Sequence, residues 1–220
     1  MQASLVGVGG EVAGVRIPAT PLALAALESA GAALPAVLLG HARRVFVLAA
    51  LSARRGGLAC DAGALFVGSL YANMGLSAAY ARSAERYELD GADAARGLLR
   101  RHGASEREQS ELWLAIALHT TSGIPARISP LAGVLAQAVR TDLTGAHYHA
   151  YTRGERAGVL AAYPRGARFG EAVIDAIGRG LAHRPGSTAG TAGADVLDRI
   201  DPDYRRMNFC GQILGSPWRD

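Results

Sequence analysis

Side chains able to move protons or hold a metal are few in this chain. Of its six histidines, His41 lies inside an apolar stretch. His119 ends the run of residues 112–118, next to Thr120 and Thr121, and His147 and His149 stand two apart among tyrosines. A helix C-terminus favours the protonated form of histidine, which makes His119 a candidate acid. The alternative is a structural hydrogen bond to a helix-end carbonyl. The His147-x-His149 spacing can bind a metal, but two histidines without a third ligand are expected to face solvent. Cys60 and Cys210 are far apart and form no Cys-x-x-Cys, so two buried free thiols are expected.

Helices must position these groups. Thr20-Pro21 is a helix opening, threonine at the N-cap and proline at N1, for an apolar helix over residues 21–30 that Gly31 ends. Pro35 opens a second helix, to about residue 52, carrying His41-Ala42-Arg43-Arg44-Val45-Phe46, and Arg54-Arg55-Gly56-Gly57 stops it. Asp61 caps a third, apolar to Leu70, with Gly75 as its C′ residue. Residues 76–90 read as a long connection, and long ordered connections tend to be functional. Asp90 is expected to N-cap a helix over residues 91–101, and Ser105 with Gln109 to start one over 106–118. Leu112, Ile116 and His119 share a face of that helix. Further helices are expected over 130–142, 167–181 and 194–200. No strand-like alternation appears. The class is all-α: one domain, with residues 1–20 a strap docking around Val15-Arg16-Ile17-Pro18 and residues 184–220 an irregular tail packed on the bundle.

At 220 residues and 22.8 kDa the chain suits a single core. Its longest apolar runs fall short of the roughly 18 residues of a membrane span. The N-terminus has no basic segment leading into an apolar one, so neither export nor a membrane partner is expected, and the compartment is read as cytoplasmic. A net charge of +4 and a pI near 9.4 invite a nucleic-acid reading. Every basic side chain is arginine, though, as a GC-rich coding sequence produces without functional demand, and the arginines come as scattered pairs, not a stripe with interleaved aromatics. Nucleic acid is not an expected partner.

The stretch Leu65-Phe66-Val67-Gly68-Ser69-Leu70-Tyr71-Ala72-Asn73-Met74-Gly75-Leu76 resembles the signature helix of the HD-domain superfamily, in its cyanamide-hydratase-like branch. There the run ends in His-Asp-Leu-Gly or His-Asp-Met-Gly, and the His-Asp pair binds a catalytic metal. The likeness extends in order along nearly the whole chain. It takes in Val15-Arg16-Ile17-Pro18, the His41 segment, Tyr87-Glu88-Leu89-Asp90-Gly91-Ala92-Asp93-Ala94-Ala95 and Ile116-Ala117-Leu118-His119-Thr120-Thr121-Ser122-Gly123-Ile124. It continues through His183-Arg184-Pro185, Ala194-Asp195-Val196-Leu197, Arg205-Arg206-Met207-Asn208-Phe209-Cys210 and Ser216-Pro217-Trp218.

The resemblance implies an HD-type helical bundle with a pocket inside it. His41 matches the first metal-binding histidine, Asp142 the last metal-binding aspartate, and His119 a histidine on the substrate side. Ala72 and Asn73 stand where the His-Asp pair belongs. Alanine offers no ligand and asparagine only a neutral oxygen, so the metal site is expected to be vestigial and no cofactor is expected. Without a metal, bound water keeps its high pKa and hydration of a nitrile-like carbon loses its nucleophile. What the resemblance leaves is His41 paired with Asp142, either as a metal-free general base or as a mutually satisfied buried pair. Asn73 is a candidate oxyanion donor, and Tyr71, Ala72, Thr120, Thr121 and Glu88 are expected around a small-molecule substrate. Three functions follow in order: metal-independent acid–base chemistry (isomerisation, elimination, cyclisation or hydration), a non-catalytic binding or partner protein, and conventional metal-dependent hydration. Self-association into a homo-oligomer is left open.

Overall fold

A computed structural model describes residues 6–218 of the chain. The strap contains a hairpin that no alternation announces: β1 (Glu11–Val12) pairs antiparallel with β2 (Val15–Arg16). Ala13 and Gly14, at φ 50° and 76°, reverse the chain in two residues. Val12, Val15 and Ile17 are thereby buried. Residues 1–5 of the expected strap and 219–220 of the expected tail lie outside the described residues.

The remainder is helical, with eleven α-helices among the described residues. α1 (Pro21–Ala33) opens with the Thr20 hydroxyl accepting from the Ala23 amide at 3.2 Å. It runs past Gly31, the expected stop. The effective stop is Pro35, which disfavours helical backbone at Leu34 and cannot donate an amide itself. α2 (Ala36–Arg55) is the central helix, buried among α3 (Ala62–Tyr71), α7 (Pro130–Thr144) and α9 (Phe169–Leu181). It is long and apolar enough to cross a membrane by those measures alone, yet most of it is buried inside the bundle, where Phe46 meets Phe66 edge-on at 5.0 Å.

α4 (Tyr87–Arg101) and α5 (Glu106–Ala117) pair with each other across α3. α5 starts on a capping box made by Ser105 and Glu108, not Gln109, which donates to the Ala104 carbonyl. α6 (Pro125–Ile128) is one turn leading into α7. α8 (Arg153–Ala162), between the helices expected over 130–142 and 167–181, opens on a Thr152–Glu155 capping box. It buries only Val159 and Ala162 fully, too little for an apolar period to reveal it. α10 (Ala192–Ile200) lies on α9, and α11 (Phe209–Leu214) follows.

The expected connection over residues 76–90 is shorter and more ordered than its sequence suggests. Residues 74–76 and 78–80 form 3-10 turns, and α4 begins at Tyr87 with Arg86 at its N-cap. Asp90 is therefore no cap. It lies inside α4, taking a hydrogen bond from the Ser83 hydroxyl at 2.9 Å and pairing with Arg184. Gly75 is not a left-handed helix terminator either. A Cβ on it would sit 2.1 Å from the Tyr87 carbonyl oxygen, and one on Gly91 would sit 2.5 Å from that of Tyr71. Two bare backbones thus let the first turn of α4 lie on the end of α3. That approach decides where the side chains of Tyr87 and Glu88 go.

The tail follows the bundle only as far as Tyr204, whose hydroxyl meets that of Thr188 at 2.9 Å. Residues 205–218 are exposed throughout, a correction to the packed tail expected. Both cysteines are free, but Cys60 is half-buried and Cys210 exposed, so neither is the buried thiol expected.

Candidate active site

The site is built where α2 and α7 pack side by side. His41 Nδ1 lies 2.7 Å from Asp142 Oδ2. Arg44, three residues along α2 and so on the same face, donates from Nε to Oδ1 at 2.8 Å and from Nη2 to Oδ2 at 2.9 Å. Its Nη1 faces the carbonyls of Tyr163 and Pro164, and its plane stands 4.8 Å from the Phe169 ring centroid. All three residues are buried. Burial pushes the Asp142 carboxyl up, but the hydrogen bonds and charges of His41 and Arg44 outweigh it and bring its pKa down to about 2. An ionised carboxylate only accepts, so His41 donates from Nδ1 and keeps Nε2 as its basic nitrogen.

His119 is fixed in the same tautomer by a different partner. Its Nδ1 lies 2.7 Å from the Ile116 carbonyl oxygen, another pure acceptor, which leaves Nε2 free. The structural hydrogen bond and the place at the site therefore coexist. The acid role does not hold: burial lowers its pKa by more than Glu88 and the Ile116 carbonyl raise it, so the ring is neutral.

A cavity of about 80 Å³ gathers His41, Asn73, Glu88, His119 and Thr120. Tyr87 joins them, and Leu38, Val139, Val173, Ile177 and Val196 supply apolar walls. Glu88 accepts from Thr120 Oγ1 at 2.6 Å and from Arg86 Nη2 at 2.9 Å. Burial pushes its carboxyl up, but Arg86, His119 and Thr120 prevail and hold it below its usual value. Tyr87 lies edge-on to His119, centroids 5.9 Å apart, and burial and then Glu88 push its phenol well up, so it keeps its proton. Asn73 is 5% exposed, and its Nδ2 has no hydrogen-bond partner; the Ser77 hydroxyl is likewise unpaired.

The other expected residues fall elsewhere. Tyr71 and Ala72 are buried in the packing and do not line the cavity, because the chain turns at Asn73. Thr121 does not line it either; its amide closes the turn onto Leu118. Asp142 stands behind His41 and opens, with Arg44, Arg156 and Arg165, onto a separate cleft. Sequence reasoning missed Arg44, Arg86 and Tyr87. The spacing of Arg44 from His41 was a usable signal for the first. Nothing local marks Tyr87, whose position depends on the glycine contact at residue 75.

The donor set does not fit the divalent cation that the resemblance implies. Both Asp142 oxygens are committed to Arg44 and His41, the His41 Nδ1 is committed in return, and Ala72 contributes a methyl group. Among the described residues no three His, Cys, Asp or Glu side chains converge as a metal site requires. His147 and His149 are exposed, the latter against the Tyr148 ring at 5.4 Å.

What the fold defines is an all-helical bundle with a largely apolar internal cavity lined by two imidazoles. No family model matches the chain, and no curated protein matches it.

Proposed function

We propose that this protein is a diverged HD-type enzyme that moves a proton on a small, uncharged organic molecule without using a metal. The observation that carries the reading is the Asn73 amide, a buried donor without a protein partner, in the cavity that holds His41 and His119. An unmade buried hydrogen bond costs about 1–3 kcal/mol, and a substrate oxygen or nitrogen bound there would recover it.

The chemistry follows from the tautomers. His41 Nε2 takes a proton from an atom next to the acceptor group of the substrate. The electron pair moves onto that acceptor, which the Asn73 Nδ2–H stabilises. Asp142, ionised, balances the imidazolium so formed, and His41 then returns its proton at a second position. Net isomerisation, or elimination if a leaving group departs, is the outcome. His119 Nε2 accepts a hydrogen bond from a substrate O–H or N–H, and the Tyr87 phenol supplies a further donor. Glu88, the carboxylate that lines the cavity, already has Arg86, and Asp142 behind His41 has Arg44, which supports an uncharged substrate. The size supports a compact one, since a cavity of about 150 Å³ takes benzene.

The test is hydrogen–deuterium exchange in D2O, followed by NMR across small carbonyl, imine and nitrile compounds with a chelator present. Exchange at carbon that disappears in His41→Ala and returns with added imidazole supports the reading. Binding in the cavity without exchange replaces it with a binding protein. Exchange that the chelator abolishes replaces it with metal chemistry.

A further inference from the structure

We infer that residues 205–218 form an arm that docks on a second copy of this chain, giving a two-fold dimer by reciprocal exchange. Four large apolar side chains sit within ten residues of the arm and are almost uncovered: Phe209 is 73% exposed, Ile213 57%, Leu214 87% and Trp218 89%. Isolated exposed apolar residues are ordinary, whereas a concentration of this kind marks an interaction surface. α11 has six residues, and an isolated helix that short has no stability of its own in water, so its turns need a tertiary partner.

The start of the arm is tied to α10, and the side chains beyond it find no cover on the bundle that carries them. Arg206 Nη2 pairs with Asp195 at 2.7 Å and reaches Asp198 at 3.8 Å, both on α10, while Arg205 Nη1 donates to the Pro202 and Tyr204 carbonyls. The side chains of the segment beyond that contact are uncovered.

Area selects the occupant. Large aromatic side chains present roughly 150–250 Å² each, so two aromatic and two smaller aliphatic anchors, exposed to this extent, offer on the order of 600 Å² per arm. One arm seated on a partner buries about 1,200 Å² counting both surfaces, the lower limit for a specific interface; two arms exchanged by a two-fold bury about twice that, inside the range of stable dimers. A lipid surface is the rival occupant, because the arm pairs aromatics with arginines. Interfacial helices, however, keep a free basic face. Here Arg206 is spent on α10.

The inference stands apart from the proposed chemistry, because none of the arm residues lines the cavity. Sedimentation velocity of the full chain at micromolar concentration tests it, beside the variant Phe209→Ser/Leu214→Ser/Trp218→Ser. A wild-type dimer that becomes a monomer in the variant, with the helical circular-dichroism spectrum unchanged, supports it. Trp218→Ser alone should weaken the dimer by about tenfold or more, as loss of an interface anchor does. A monomeric wild type, or a dimer that survives the triple substitution, overturns it. So does co-sedimentation of the monomer with phosphatidylserine vesicles.

Discussion

Two aspartates in this bundle are buried against buried arginines, and their surroundings set them to different work. Asp90 meets Arg184, which also donates to the carbonyls of Gly75, Glu85 and Gly180. Every other partner in that group is backbone or the Ser83 hydroxyl, so the pair ties the 3-10 turn, α4 and the end of α9 together and offers nothing to a ligand. Asp142 meets Arg44 by two hydrogen bonds, but its third partner is an imidazole with a second nitrogen to spare. Identical charge chemistry is a clamp in one place and a proton-moving device in the other. The difference lies in whether the last group in the chain of hydrogen bonds has its back to packing or to a cavity.

The comparison breaks first at the clamp. Arg184→Met leaves Asp90 as an uncompensated buried charge and three carbonyls without their donor, a loss of about 3–5 kcal/mol. Urea titration should show it as the largest destabilisation of the set. A midpoint shift no larger than that of a surface substitution would show that Asp90 and Arg184 do not form a clamp.

Asp142→Asn comes next, with a different signature. The amide can still accept from Arg44, so the stability loss is smaller, on the order of 2 kcal/mol, while proton exchange should fall by at least about a hundredfold as His41 loses its fixed tautomer. The pH dependence carries a sign. The Asp142 carboxyl titrates at about 2 in the folded chain against 3.8 ordinarily, so its contribution is complete above 3.8 and lost as the pH falls to about 2. That contribution is about 2 kcal/mol. Wild type and Asp142→Asn should therefore converge in stability over this window. A gap that stays constant would mean that Asp142 is not an ionised partner.

His119 gives a smaller effect at milder pH. Its folded pKa lies below the ordinary 6.5, so the unfolded chain binds the extra proton first. Stability is full above 6.5 and declines as the pH drops toward the folded value. His119→Gln should flatten the fall in thermal midpoint between pH 7 and pH 5, and an unchanged slope would place the titration elsewhere.

Asn73→Leu should move stability least, and upward. It removes an unpaired buried donor and adds apolar contact, a gain of about 1 kcal/mol, while it occupies the cavity and abolishes ligand binding. A destabilised variant that still binds would show that Asn73 serves the packing and not the site.

Parts of this were legible in the residues. Thr20, Asp61 and Ser105 each announce a helix start, because a short polar side chain satisfying the first free amides is a local matter. His41, His119 and Asn73 stand out as polar groups on apolar helices, and the structure brings all three to one cavity. Gly75 misled for a local reason as well: as a terminator it fits the pattern, but its lack of a Cβ serves the Tyr87 carbonyl from a helix twelve residues on. Tyr71 and Ala72 lie next to Asn73 in the chain yet stay in the packing, since a change of direction at one residue separates neighbours that sequence treats as a unit.

The sequence by itself determined the helical class, the N-caps at Thr20, Asp61 and Ser105, and the identity of the ionisable groups on the core helices. These depend on interactions within a turn or two of chain. Only the tertiary structure decided that Arg44 closes on Asp142, that burial keeps His119 neutral, and that Tyr87 and Glu88 face Asn73. Each of those depends on desolvation and on contacts between residues up to about a hundred positions apart, and neither quantity exists until the helices have packed.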